Sequence, residues 1–171
     1  MKIQTKTPRS ALATLLTLIF AGLLGALSVN TAHGQIYASL ADVSKKVVEY
    51  SLSGTQLSPS LVSPVTNPYG LAVNSTTLFV ADFGASKIGS FDIASSTYTA
   101  GFISLGAQPY GVAVSGNALY VSLSNGSILK YDATTHVQDS GFTATVGNAF
   151  FMALDGLGNL YIANKAGNAV G

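Results

Sequence analysis

The feature that most constrains this chain is a repeat of about forty residues, carried by three elements that recur in phase. Asn67-Pro68-Tyr69-Gly70-Leu71-Ala72-Val73 returns as Gln108-Pro109-Tyr110-Gly111-Val112-Ala113-Val114 and, altered, as Asn148-Ala149-Phe150-Phe151-Met152-Ala153-Leu154. The shared aromatic steps by 41 residues and then by 40. A second element, Leu78-Phe79-Val80-Ala81, recurs as Leu119-Tyr120-Val121-Ser122 and Leu160-Tyr161-Ile162-Ala163, with an earlier copy at Ile36-Tyr37-Ala38-Ser39. A third runs Val48-Glu49-Tyr50, Ser90-Phe91-Asp92 and Lys130-Tyr131-Asp132. A period of this length means stacked supersecondary units, each burying its apolar face against a neighbour.

Each unit reads as four short strands. Strand A is the Tyr-Gly-apolar run, suited to burial on both faces, and strand B is the Leu-aromatic-Val-Ala run. Asn74-Ser75-Thr76-Thr77, Ser115-Gly116-Asn117 and Asp155-Gly156-Leu157-Gly158-Asn159 separate A from B with the Gly and Asn that tight turns need. Strand C carries the third element, and strand D falls near Tyr98-Thr99-Ala100-Gly101-Phe102-Ile103 and Ser140-Gly141-Phe142-Thr143-Ala144-Thr145. Four antiparallel strands per forty residues make a β-propeller blade, so the expected class is all-β. A β-helix or a leucine-rich solenoid needs a shorter period.

Pro68-Tyr69-Gly70-Leu71-Ala72-Val73 with Leu78-Phe79-Val80-Ala81-Asp82 resembles the NHL-type propeller repeat, and the resemblance extends from about Ile36 onward. It implies a propeller that hosts binders, scaffolds or enzymes. The basic pair that RNA-binding blades of this type carry on strand C is replaced here by Ala85-Ser86-Lys87 and Gly126-Ser127-Ile128. The blades divide as 36–66 (strands B, C and D), 67–107, 108–147 and 148–171 (A, B and the start of C). That is about three and a third blades, whereas closed propellers have about 4–8. An open arc is therefore expected, either cut from a larger protein or completed by self-association through its open strand edges.

The N-terminus is of a different kind. Lys2, Lys6 and Arg9 precede an uncharged apolar run over residues 11–29, followed by Asn30-Thr31-Ala32-His33-Gly34. This is the layout of a secretory signal helix over residues 1–34, cleaved before Gln35. The run is also long enough for an uncleaved anchor, the only membrane contact expected. Both readings place the protein outside the cytoplasm: periplasmic, extracellular or on the cell surface. Beyond residue 34, five basic side chains face seven acidic ones, a net charge near −2. Such a balance does not suit nucleic acid, whose phosphates need clustered Lys and Arg. The chain has no cysteine, which removes thiolate catalysis, iron–sulfur clusters and cysteine zinc sites.

Because successive strands reverse, B–C loops and D–A connections share one rim. That rim collects Asn67, Tyr69, Asp82, Gln108, Tyr110, Asn148, Phe150 and Asn164, with Ser124, Asn125 and Lys165 beside them. Converging aromatics and amides make a binding surface for a protein or a glycan. Tyr69 and Tyr110 better suit packing between neighbouring blades, which leaves Asp82 and Asn164 as the better rim candidates. The opposite rim collects turn-type Gly, Ser, Thr and Asn, together with His136, and no nucleophile–base–oxyanion motif accompanies that histidine. No catalytic residue, metal ligand or cofactor site is expected. Lactonases of the gluconolactonase type place Glu, Asn and Asp around the propeller axis. Asp82 and Asn164 would fill half of such a set, while Glu49 lies on an outer strand. Two functions follow: a non-catalytic binding or scaffold module, or the N-terminal part of a propeller hydrolase or lyase with its ligands in further blades.

Overall fold

The computed structural model describes residues 27–30, 34–165 and 169–170, the first and last of these stretches as backbone. Most of the expected signal helix thus lies outside the described residues. What is described is all-β, save one 3₁₀ turn at Phe83–Ala85. Sheet one holds β1 (Leu27–Asn30), β2 (Gln35–Leu40), β3 (Lys46–Ser51) and β4 (Gln56–Val62). Sheet two holds β5 (Pro68–Val73), β6 (Thr77–Asp82), β7 (Lys87–Asp92) and β8 (Thr97–Ser104). Sheet three holds β9 (Pro109–Ser115), β10 (Ala118–Leu123), β11 (Ser127–Asp132) and β12 (Ala144–Thr145). Sheet four holds β13 (Ala149–Leu154), β14 (Leu160–Asn164) and β15 (Ala169–Val170). Each is an antiparallel meander in chain order, the strand arrangement of a propeller blade.

Two elements differ from the repeat reading. The repeat starts the first blade at Ile36, whereas the structure adds β1 inside it, paired from Leu27↔Ala38 to Asn30↔Gln35. Leu27-Ser28-Val29-Asn30 alternates apolar and polar residues as a strand does, but in sequence it merges with the apolar run before it. The fourth strand of sheet three is short. It comprises Ala144–Thr145 and an isolated bridge between Tyr131 and Gln138. Between them Asp139 folds back, its Oδ1 taking the Gly141 N–H at 3.0 Å, where the pairing with β11 is interrupted.

The core lies between sheets. Tyr37, Val47 and Val62 of sheet one pack with Leu71, Leu78 and Val80 of sheet two. Phe79, Ala81 and Ile88 of sheet two pack with Leu119, Val121 and Leu123 of sheet three. A smaller cluster, Ile128 with Ala149 and Ile162, joins sheets three and four. Alternation explains the arrangement: odd and even positions of the Leu-aromatic-Val-small run face opposite neighbours. The repeated glycine sets the spacing near the axis. A Cβ on Gly70 would stand 2.8 Å from the Gly111 Cα, and one on Gly111 would stand 2.6 Å from the Phe150 carbonyl oxygen. Only glycine lets these inner strands approach so closely.

Candidate functional site

One hydrogen bond recurs in three blades and builds the rim. The Phe83 N–H donates to the Asn67 carbonyl at 3.0 Å, the Ser124 N–H to Gln108 at 2.8 Å, and the Lys165 N–H to Asn148 at 3.2 Å. Each bond ties a B–C corner to the D–A corner of the same sheet. Two residues beyond each accepting carbonyl stands the shared aromatic, so Tyr69, Tyr110 and Phe150 are delivered to one place.

Their rings touch. Tyr110 lies 5.9 Å from Tyr69 and 4.6 Å from Phe150, centroid to centroid, and Tyr69 meets Phe150 edge-on at 6.3 Å. Phe83 joins them, 5.0 Å from both Tyr69 and Tyr110. All four rings are half-buried. Such pairs contribute about 0.5–1.5 kcal/mol each beyond area burial, so the cluster stabilises the blade-to-blade contact and also leaves aromatic surface in water. At its edge the Lys165 ammonium sits 5.4 Å over the Phe150 ring, within cation–π range. Below the aromatics the inner strands continue as an aliphatic groove of ≈ 170 Å³, lined by Val73, Val114 and Leu154 among others.

The remaining rim candidates divide by role. Asp82 is 5% exposed, and both its carboxylate oxygens are engaged: Oδ2 takes the Thr66 N–H and Oδ1 the Asn67 N–H, each at 2.8 Å. It closes the D–A corner from within and presents no charge to a ligand. Asn164 ends β14 opposite Ala149 and is half-buried. Gln108 and Asn148 are exposed, as are Ser124 and Asn125, the last folded back on the Ser127 N–H. Asn67 is half-buried, and its Oδ1 has no hydrogen-bond partner among the described residues. The rim therefore unites Tyr69, Tyr110 and Phe150 with the amides and turns Asp82 inward.

Three contributors escaped the sequence reading. Phe83 has Ser124 and Lys165 at the matching positions of the next blades, so no repeat marked it. Two serines staple successive sheets: Ser39 Oγ donates to the Tyr69 carbonyl at 2.7 Å, and Ser122 Oγ donates to the Phe150 carbonyl at 2.6 Å. Both occupy the last position of the Leu-aromatic-Val-small run, where Ala81 and Ala163 stand in the other blades. The alternation of Ser with Ala was the available signal.

At the opposite rim, the Asn117 side chain donates to Asp132 and the Ala133 N–H donates to the Asn117 carbonyl at 2.8 Å, fastening the A–B turn to the C–D turn. His136 follows in a left-handed conformation (φ 65°), its ring 3.8 Å from that of Phe102. Hydrogen bonds from the Thr135 and Thr134 N–H groups hold the Asp132 carboxyl below its ordinary range. Among the described residues no three His, Asp or Glu side chains gather as metal ligands.

No protein-family model and no curated protein matches the chain. Solved structures do. A streptogramin B lyase superposes with a TM-score of 0.69 at 19% identity, over 88% of this chain and 51% of that one. Kuenenia stuttgartiensis hydrazine synthase gives 0.68 at 15% identity, over 86% and 43%. A nidogen/laminin complex gives 0.60 at 18% identity, over 74% and 49%. These likenesses share the propeller fold, and the chain spans about half the length, or less, of these three structures.

Proposed function

We propose that this chain is an exported, NHL-like propeller module that binds a protein or glycan ligand at its aromatic rim. The observation that carries the reading is the meeting of Tyr69, Phe83, Tyr110 and Phe150, half-buried and drawn from three sheets, beside the amides of Gln108 and Asn148. Rigid aromatic surface gives contact area at low entropic cost, and neighbouring amides supply orientation. Export is supported by the basic-then-apolar layout of the first 34 residues.

Titrating the full chain with aromatic-containing peptides and with neutral oligosaccharides, followed by backbone amide shifts, tests this. Saturable shifts at Asn67, Tyr69, Gln108, Tyr110 and Asn148, weakened by Tyr110→Ser, are expected. No saturable shift at these rim amides with any of the peptides or oligosaccharides would sink the reading.

A second reading makes the chain part of a propeller lyase or hydrolase, supported by its likeness to the streptogramin B lyase over about half of that protein. Incubation with a streptogramin B and mass spectrometry of the products addresses it. Turnover by the chain as it stands would displace the binding reading.

A further inference from the structure

Outside the aromatic rim, sheets two and three diverge toward their outer strands and leave a cleft of ≈ 500 Å³. Its wall on sheet two follows from register. Thr77, Asp92 and Thr97 are cross-strand partners in one row, and Phe79, Ser90 and Thr99 form the next. Thr97 and Thr99 stand on this face in the register set by the turn after Asp92, and the pairing shifts only beyond them, between Ser90 and Ile88. Cross-strand neighbours stand ~4.8 Å apart and alternate residues along a strand ~6.8 Å apart, so hydroxyls and one carboxylate form a regular grid. Phe102 lies at one side, with Ala133 and Thr134 of sheet three completing the cleft.

Part of this grid is already engaged: Thr97 Oγ1 donates to the Ser95 carbonyl at 3.4 Å and Thr77 Oγ1 shares a hydrogen bond with Thr76 at 3.3 Å. Asp92 Oδ1 takes the Ser95 N–H and O–H, both at 2.7 Å, while Oδ2 accepts no hydrogen bond from any described residue. Those two bonds hold the carboxyl ionised below its ordinary range. Ser90 is 8% exposed, lines the cleft, and forms no side-chain hydrogen bond with a described residue. Its hydroxyl therefore meets solvent through the cleft and is free to bond a ligand there. Thr99 is likewise unpaired among the described residues. No basic side chain lines the cleft, so an anionic ligand would meet only the Asp92 carboxylate.

We propose that this cleft binds a neutral saccharide. Hydroxyls that both donate and accept match the hydroxyls of a sugar, the free carboxylate oxygen takes a hydrogen bond from one of them, and Phe102, itself packed against His136, gives the cleft an apolar border. The site is separate from the aromatic rim and does not depend on the function proposed for it.

The test uses the full chain, uniformly labelled with ¹⁵N and titrated separately with cellobiose, maltose and lactose. At least one disaccharide should give saturable shifts at Ser90, Asp92, Thr97 and Thr99. Asp92→Asn, which can still accept from Ser95, and Thr99→Val should each weaken binding at least ~10-fold, about 1.4 kcal/mol. Neither should alter the thermal midpoint appreciably, which separates lost binding from lost folding. No saturable shift with any of the three sugars would overturn the proposal. Shifts confined to Tyr69, Tyr110 and Asn148 would overturn it as well, while supporting a glycan at the rim.

Discussion

Sheets two and four are built from the same repeat and meet different surroundings. On sheet two, Ala72, Phe79 and Ala81 are buried by sheet three; on sheet four the matching Ala153 and Ala163 are exposed and Tyr161 is 47% exposed. The inner-strand glycine differs too. Gly70 admits the Gly111 backbone and Gly111 admits that of Phe150, whereas the third copy carries Phe151, edge-on to Phe150 at 4.5 Å. The repeat thus specifies which side chains share a face, and the neighbouring sheet decides whether that face becomes core. Stability in such an array resides largely in the interfaces between units.

The sharpest way to break this comparison is to truncate the same position in both sheets. Phe79→Ala removes a ring that is 0% exposed and touches both Phe102 and the sheet-three aliphatics. A loss of about 3–5 kcal/mol is expected in urea unfolding of the full chain. Tyr161→Ala removes an exposed ring whose hydroxyl donates to Asp155, and should cost less than about 1 kcal/mol. Equal costs would mean that the outward face of sheet four is covered in solution.

A smaller effect separates the corners. Asp82→Ala strips the acceptors from the Thr66 and Asn67 N–H groups inside a closed corner, and about 2–3 kcal/mol should be lost. Asn164, its counterpart on sheet four, is half-buried, and Asn164→Ala should cost about 1 kcal/mol or less. Amide exchange at Thr66 and Asn67 is the direct readout. Exchange left as slow in Asp82→Ala as in the parent would show that the corner is held by something else.

Much of this contrast is legible in the sequence, because period and alternation are local. The Leu-aromatic-Val-small run assigns Leu78 and Val80 to one interface and Phe79 and Ala81 to the other, and the aromatic step of about forty residues brings Tyr69, Tyr110 and Phe150 to one rim. What hides is whatever depends on pairing across the chain. Asp82 looks like a rim carboxylate until its backbone donors, fifteen and sixteen residues earlier, are in place. Phe83 has no repeat partner to announce it. The hydroxyl grid arises only once β8 pairs with β7, setting Thr97 beside Asp92 and Thr99 beside Ser90. β1 is obscured because its alternation begins inside an apolar run.

Being covered also has a cost, and Tyr98 on sheet two measures it. Its hydroxyl is buried over Gly89, where a Cβ would fall 2.1 Å from the oxygen, and no described residue hydrogen-bonds to it. Burial, reinforced by the Asp82 charge, pushes the phenol up to about 12 from an ordinary value of 10.0. Since the folded value is the higher one, the fold favours the protonated phenol, and its stabilisation is whole below pH 10. As pH rises from there toward 12 the unfolded chain releases the proton first, so stability falls. Tyr98→Phe removes an unsatisfied hydroxyl and this titration together. The variant should gain about 1 kcal/mol at neutral pH, and its urea midpoint should decline less than the parent's across the alkaline range. A variant less stable than the parent at neutral pH would mean that the hydroxyl has a partner in solution, and that enclosure of sheet two leaves this polar group satisfied.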